Sequence, residues 1–78
     1  MAISESEKRK MLMAHSIGPK MVAYLERIGI ERLEDVRDAD PKDLAFRIDM
    51  ELGAKRMNAL GVAALANLVA LAKAYKPL

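Results

Sequence analysis

The chain has no cysteine and no tryptophan, and its aromatic residues are Tyr24, Phe46 and Tyr75 alone. Without cysteine there is no disulfide scaffold, thiolate zinc site, iron-sulfur cluster or cysteine nucleophile. Small exported domains usually depend on such staples, so the composition reads as that of a cytoplasmic chain. A dominant charge is missing too: 13 Lys+Arg face 11 Asp+Glu, for a formal net charge of +2. Any polyanion site must therefore come from the placement of cations, not from their total. The longest apolar stretch, residues 59–72, is interrupted by Asn67. It falls short of the roughly 18–20 residues that a membrane span requires, so no membrane partner is expected. Residues 1–10 mix Glu5 and Glu7 with Lys8, Arg9 and Lys10, which matches neither a signal peptide nor an acid-poor transit peptide. His15 stands alone, no nucleophile–base pair is visible, and the acids from Glu31 to Asp40 read as caps and solubilising charges. The expectation is a chain with no cofactor, no metal and no enzymatic activity of its own.

At 78 residues the chain makes one small domain, residues 1–78. A chain of this size buries only about 60–65% of its unfolded surface. Strand-like alternation and Asn-Gly hairpin signals are absent, which leaves an all-α fold, and the stop and start signals divide it into five helices. Ser4 and Glu7 form a capping-box pattern that opens the first helix, which runs to about Ala14. Pro19 suits the first position of a second helix reaching Ile28, with Met21, Val22, Leu25 and Ile28 on its core face. Gly29-Ile30 then reads as a left-handed stop with a returning apolar contact. A short third helix covers Arg32 to Arg37, burying Leu33 and Val36. Asp40-Pro41 starts the fourth, whose stripe is Leu44, Ala45, Ile48 and Leu52, and Gly53 ends it.

The fifth helix runs from about Ala54 to Lys73 or Tyr75. At 100° per residue, Leu60, Ala64, Leu65, Leu68, Leu71, Ala72 and Tyr75 share one broad arc and are assigned to the core. The opposite arc carries Val62, Ala63, Ala66, Val69 and Ala70. An arc that apolar has protein against it or is a surface of good helix formers. Val62, Ala66, Val69 and Ala70 are thus the candidate interface for a second copy or a larger protein partner.

Residues 17–30, Ile-Gly-Pro-Lys-Met-Val-Ala-Tyr-Leu-Glu-Arg-Ile-Gly-Ile, resemble the helix-hairpin-helix motif, whose core reads apolar-Gly-Pro-Lys, a helix, then Gly-Ile. The hairpin glycine lets the backbone turn so that amides at the start of the next helix are presented, and the lysine sets a cation beside them. The resemblance implies a compact helix-hairpin-helix (SAM-like) fold that binds the backbone of double-stranded DNA without reading bases. The amides of Gly18, Lys20 and Met21 would serve as donors. Lys20, Tyr24 and Arg27, at i, i+4 and i+7, form a basic strip on the helix face away from the core.

Many proteins with the motif carry glycine where this chain has Ser16. Its hydroxyl either donates to a phosphate or closes the turn onto backbone. A fainter echo, Leu52-Gly53-Ala54-Lys55, parallels Ile17-Gly18-Pro19-Lys20, and a second hairpin there would make Lys55 the counterpart of Lys20. More widely, Gly18-Pro19-Lys20, Leu25 to Ile30, Leu33-Glu34-Asp35-Val36, Asp40-Pro41-Lys42-Asp43-Leu44 and Gly53 resemble the small bacterial pathogenicity-locus (mitomycin-resistance-like) family of helix-hairpin-helix proteins. That family usually carries cysteine and several aromatics in its last helix, where this chain has alanines.

Overall fold

The starts of the helices follow from side chains that take up orphan amides. In the computed structural model, which describes residues 3–75, helix α1 (Glu5–Leu12) begins where the Ser4 hydroxyl accepts from the Glu7 amide. Helix α2 (Pro19–Arg27) has proline at its first position, where the missing N–H removes nothing. It stops at a glycine with φ +90°, Gly29, after which the Ile30 amide returns to the Leu25 carbonyl and the Gly29 amide to that of Glu26. This is the hydrogen-bond pattern of a Schellman stop, with Ile30 buried as its apolar contact.

The third predicted segment is a single 3₁₀ turn, Leu33–Val36, in place of an α-helix. Asp35 fixes where it starts. Its carboxylate folds back to accept from the amides of Glu31 and Arg32, both at 3.0 Å. Helix α3 (Pro41–Leu52) starts at Asp40, which accepts from the Lys42 amide, and ends at Gly53 with φ +69°. The described residues thus hold four α-helices and one 3₁₀ turn, and no strand.

The last helix, α4 (Ala59–Ala74), begins five residues later than the sequence pattern suggests. Two side chains set that start. Asp49 Oδ1 accepts from the amides of Arg56 (2.8 Å) and Met57 (3.0 Å), holding residues 54–58 out of helical geometry. Asn58 then caps the helix by accepting from the Gly61 amide. Leu60, expected in the core, is 79% exposed, because burial along α4 begins only at Ala64 and the first turn overhangs the body. No helix among the described residues is long and apolar enough to cross a membrane.

Helix α4 packs chiefly against α3 and the 3₁₀ turn, while α1 and α2 pack on each other. Met11, Leu25, Val36, Leu44, Ile48, Leu65 and Leu68 fill the centre. Met11 is the buried residue of α1, and its neighbour Leu12 faces solvent. The Cα radius of gyration of 11.3 Å matches the roughly 11.5 Å of a folded chain of this length.

Side chains from the helices fasten the connections. Asn67 of α4 donates to the His15 carbonyl at 3.0 Å, and Arg47 of α3 to the Ile28 carbonyl at 3.0 Å. Glu26 accepts from the Ile3 amide at 2.7 Å. Glu7, whose side chain was expected to cap its own helix, instead accepts from the Leu33 amide at 2.9 Å and from Lys10 Nζ at 2.7 Å. The Lys10 ammonium also lies 5.2 Å from the Tyr75 ring centroid, so one carboxylate and its lysine connect α1, the 3₁₀ turn and the end of α4.

Candidate nucleic-acid interface

The α1–α2 connection is a tight turn whose backbone is unusual at one residue. Ser16 has φ +68°, a left-handed conformation that L-residues other than glycine adopt at a cost of roughly 1–2 kcal/mol. The turn closes with the Ile17 amide on the Ala14 carbonyl, and the Ile17 side chain is buried. The Ser16 side chain is exposed. Replacing Ser16 with glycine is therefore expected to stabilise the fold by about 0.5–1 kcal/mol, the relief of strain exceeding the added freedom of the unfolded chain. Urea denaturation of the two proteins measures it; equal midpoints would mean that the strain is already relieved by the surroundings.

Gly18 is the N-cap of α2, with φ −115° and ψ 179°, an extended backbone open to any residue. A Cβ there would meet nothing within 4 Å. Neither conformation nor internal packing calls for glycine at this point, so the missing side chain leaves open space in front of the helix start. No side chain caps α2, no acid lies in its first turn, and its first helical hydrogen bond runs from the Val22 amide to the Gly18 carbonyl. The amides of Lys20 and Met21 precede that bond. Of the four α-helix starts, α1, α3 and α4 are each capped by a side chain, respectively Ser4, Asp40 and Asn58. The partial positive charge of the α2 start, about half a unit, is left uncompensated.

Along α2, Lys20 and Arg27 are exposed and neither forms an ion pair among the described residues. Tyr24 between them is half-buried and packs against the core, as does Met21, so these two side chains brace the strip. Ser16, Gly18, Lys20 and Arg27 thus belong to one continuous segment of hairpin and helix.

Lys55 does not join them as a second hairpin lysine. Gly53 closes α3 in the left-handed conformation, with the Ala54 amide on the Asp49 carbonyl, whereas Gly18 opens a helix. The neighbouring amides of Arg56 and Met57 are already taken by the Asp49 carboxylate, an internal anion where the other hairpin leaves its amides open. Lys55 lies exposed in a non-helical segment.

The second candidate surface is divided as well. Val69 is only 5% exposed and belongs to the core, and Val62 is partly buried against it, while Ala66 and Ala70 face solvent. The apolar far side of α4 is partly covered by the chain's own earlier elements, which removes Val69 from any outer interface.

No family model, curated protein or solved structure matches the chain. Sequence reasoning read Asn67 only as a break in the apolar stretch, although it anchors the hairpin through His15. A lone amide in a run of alanines and leucines was the available signal. It also passed over Asp49, Arg47 and Phe46, the last two lying beside Arg27 in a cleft described below.

Proposed function

We propose that this chain is a helix-hairpin-helix module of SAM-like type that holds the backbone of double-stranded DNA without reading its bases. The observation that supports this is the start of α2: an uncapped, acid-free helix N-terminus behind a left-handed turn, with open space at Gly18 and the unpaired Lys20 beside it. Amides at such a start, together with a lysine, suit a phosphate group. The amides of Gly18, Lys20 and Met21 and the side chains of Lys20 and Arg27 are the proposed contacts. The Ser16 hydroxyl, exposed on the same turn, is placed to add a further donor. The activity is binding alone.

The test is a titration of isotope-labelled protein with a short duplex at low salt, followed by NMR at each amide and repeated with Lys20→Glu. Shifts centred on residues 18, 20 and 21 are expected, and they should disappear in the variant. With about two phosphates neutralised by side chains, raising salt tenfold should weaken binding by roughly sixtyfold. If those amides do not move, the hairpin serves the fold only and the proposal fails.

One observation favours a second reading, self-association or capture of a protein partner through α4. Leu60 is 79% exposed at its first turn, and on the opposite arc of the helix Ala63, Ala66 and Ala70 also face solvent. Sedimentation separates the two: a stable dimer without affinity for duplex DNA supports the second, and a monomer that binds duplex supports the first.

A further inference from the structure

Phe46 is the only phenylalanine of the chain, and it is 62% exposed on α3. One turn along, Met50 is 68% exposed. Their helix spends Leu44, Ala45 and Ile48 on the core, so Phe46 and Met50 stand together on its outer side. Full burial of either would take a large apolar surface out of water, a substantial gain for a core this small. The fold leaves that stabilisation unused and sets an aromatic ring in solvent.

The surroundings of the ring are cationic. Phe46 and Met50 line an open cleft of about 510 Å³ together with Arg27, Ile28, Arg47 and Glu51. The Arg47 guanidinium is held to the cleft wall by its bond to the Ile28 carbonyl. Arg27 has no carboxylate partner among the described residues. A purely apolar occupant would have to strip water from two arginines with only Glu51 to offset them. An occupant that carries both flat π-faces and closely spaced negative charges satisfies the ring and the arginines at once.

Continuity selects among occupants of that kind. Arg27 is both a wall of the cleft and the far end of the strip that begins at Lys20. Seven residues of helix separate them, about 10 Å at 1.5 Å per residue, a span that a short stretch of sugar-phosphate backbone covers. A strand whose phosphates follow α2 from the hairpin is thereby delivered to Phe46.

We infer that Phe46 is a stacking platform for an unpaired base, with Arg27 and Arg47 holding the adjoining phosphates, so that single-stranded nucleic acid binds more tightly than a fully paired duplex of the same length. In a duplex the bases are stacked on each other and Phe46 has no free face to meet. This rests on the hairpin reading for the approach of the strand, and adds to it the form of nucleic acid preferred.

The experiment is fluorescence anisotropy at low salt with a labelled twelve-nucleotide single strand and the matching twelve-base-pair duplex, using the wild-type protein, Phe46→Ala and Lys20→Glu. Stacking of one base predicts that Phe46→Ala weakens single-strand binding by about tenfold and leaves duplex binding unchanged, while Lys20→Glu weakens both. Because the chain lacks tryptophan, Phe46→Trp supplies a unique reporter whose emission should be quenched by the single strand and not by the duplex. Equal loss on both nucleic acids, or no loss, in Phe46→Ala overturns the stacking platform; Lys20→Glu still abolishing duplex binding would leave the hairpin reading intact. Failure of both nucleic acids to bind removes both. A wild-type dimer that Phe46→Ala converts to monomer assigns the cleft to a contact between copies, and overturns the inference.

Discussion

Leu68→Ala is expected to cost about 2–5 kcal/mol and to lower the thermal midpoint by roughly 10–30 °C. Leu68 is fully buried, with 0% of its surface exposed, in the layer where α4 meets α3 and the 3₁₀ turn. Cutting its isobutyl group back to methyl deletes the transfer free energy of three carbons and leaves a cavity that close-packed neighbours such as Leu44, Ile48 and Leu65 do not collapse to fill. A chain of this length has a total stability of only about 4–12 kcal/mol, so the variant should be partly unfolded at 37 °C. Leu60→Ala is the matched control. The residue lies on the same helical arc two turns earlier yet is 79% exposed, so its truncation should shift stability by less than about 0.5 kcal/mol. Chemical denaturation of both variants reads the comparison directly, and equal losses would mean that α4 packs in another register.

Glu7→Ala is expected to cost about 1–3 kcal/mol at pH 7, because it strands the Leu33 amide and removes the partner of Lys10. The hydrogen bond from Lys10 holds the Glu7 carboxyl below its usual 4.5; partial desolvation opposes this, and the Leu33 amide reinforces it. A folded value lower than the unfolded one means that the stabilisation is present above about pH 4.5 and is lost as pH falls through the lower folded value. Lys10, raised above its usual 10.5 chiefly by the hydrogen bond to Glu7, behaves in the opposite sense. Its share is present below that pH and is lost above it. The difference in stability between wild type and Glu7→Ala should therefore narrow steadily as the buffer is taken from pH 7 toward pH 2. A gap that stays constant across that range would show that the carboxylate's charge plays no part.

These two sites mark the boundary of what could be read in advance. Local signals were legible wherever one residue decides a local geometry: Ser4 and Asp40 as caps, Pro19 and Pro41 at first helical positions, Gly29-Ile30 and Gly53 as stops. The apolar periods likewise placed Leu25, Leu44, Ile48, Leu65 and Leu68 in the core. What stayed hidden were bonds between residues distant in sequence. Nothing near Glu7 announces that its carboxylate will pass over its own helix start to reach Leu33. Asp49 looks like an ordinary exposed acid of α3 until its oxygen is found on the amides of Arg56 and Met57, which delays α4 and moves Lys55 out of the helix. Val69 was placed outward because a helical wheel counts faces, while the other elements decide how many faces are covered. For the candidate site, the glycine, proline and lysine of the hairpin stood out at once, while the left-handed backbone at Ser16 emerged only from the structure. Phe46 gave no such sign: it falls outside the apolar stripe of Leu44, Ala45, Ile48 and Leu52, and a single aromatic off that stripe belongs to no motif.

The side-chain bonds to backbone have a consequence for any ligand that meets this surface. Asn67 pins the hairpin through His15, Arg47 and Glu7 pin the segment after α2 at its two ends, and Asp49 pins the approach to α4. Each short connection is fastened by a helix that it does not itself belong to or that lies just behind it. Surface loops ordinarily must be ordered when something binds, and that loss of freedom subtracts from affinity. Here most of that ordering is completed during folding, so the hairpin amides would already be in place for the strand proposed to bind there. An Asn67→Ala protein would keep every atom of the proposed contact and still bind less well, through the disorder returned to the loop.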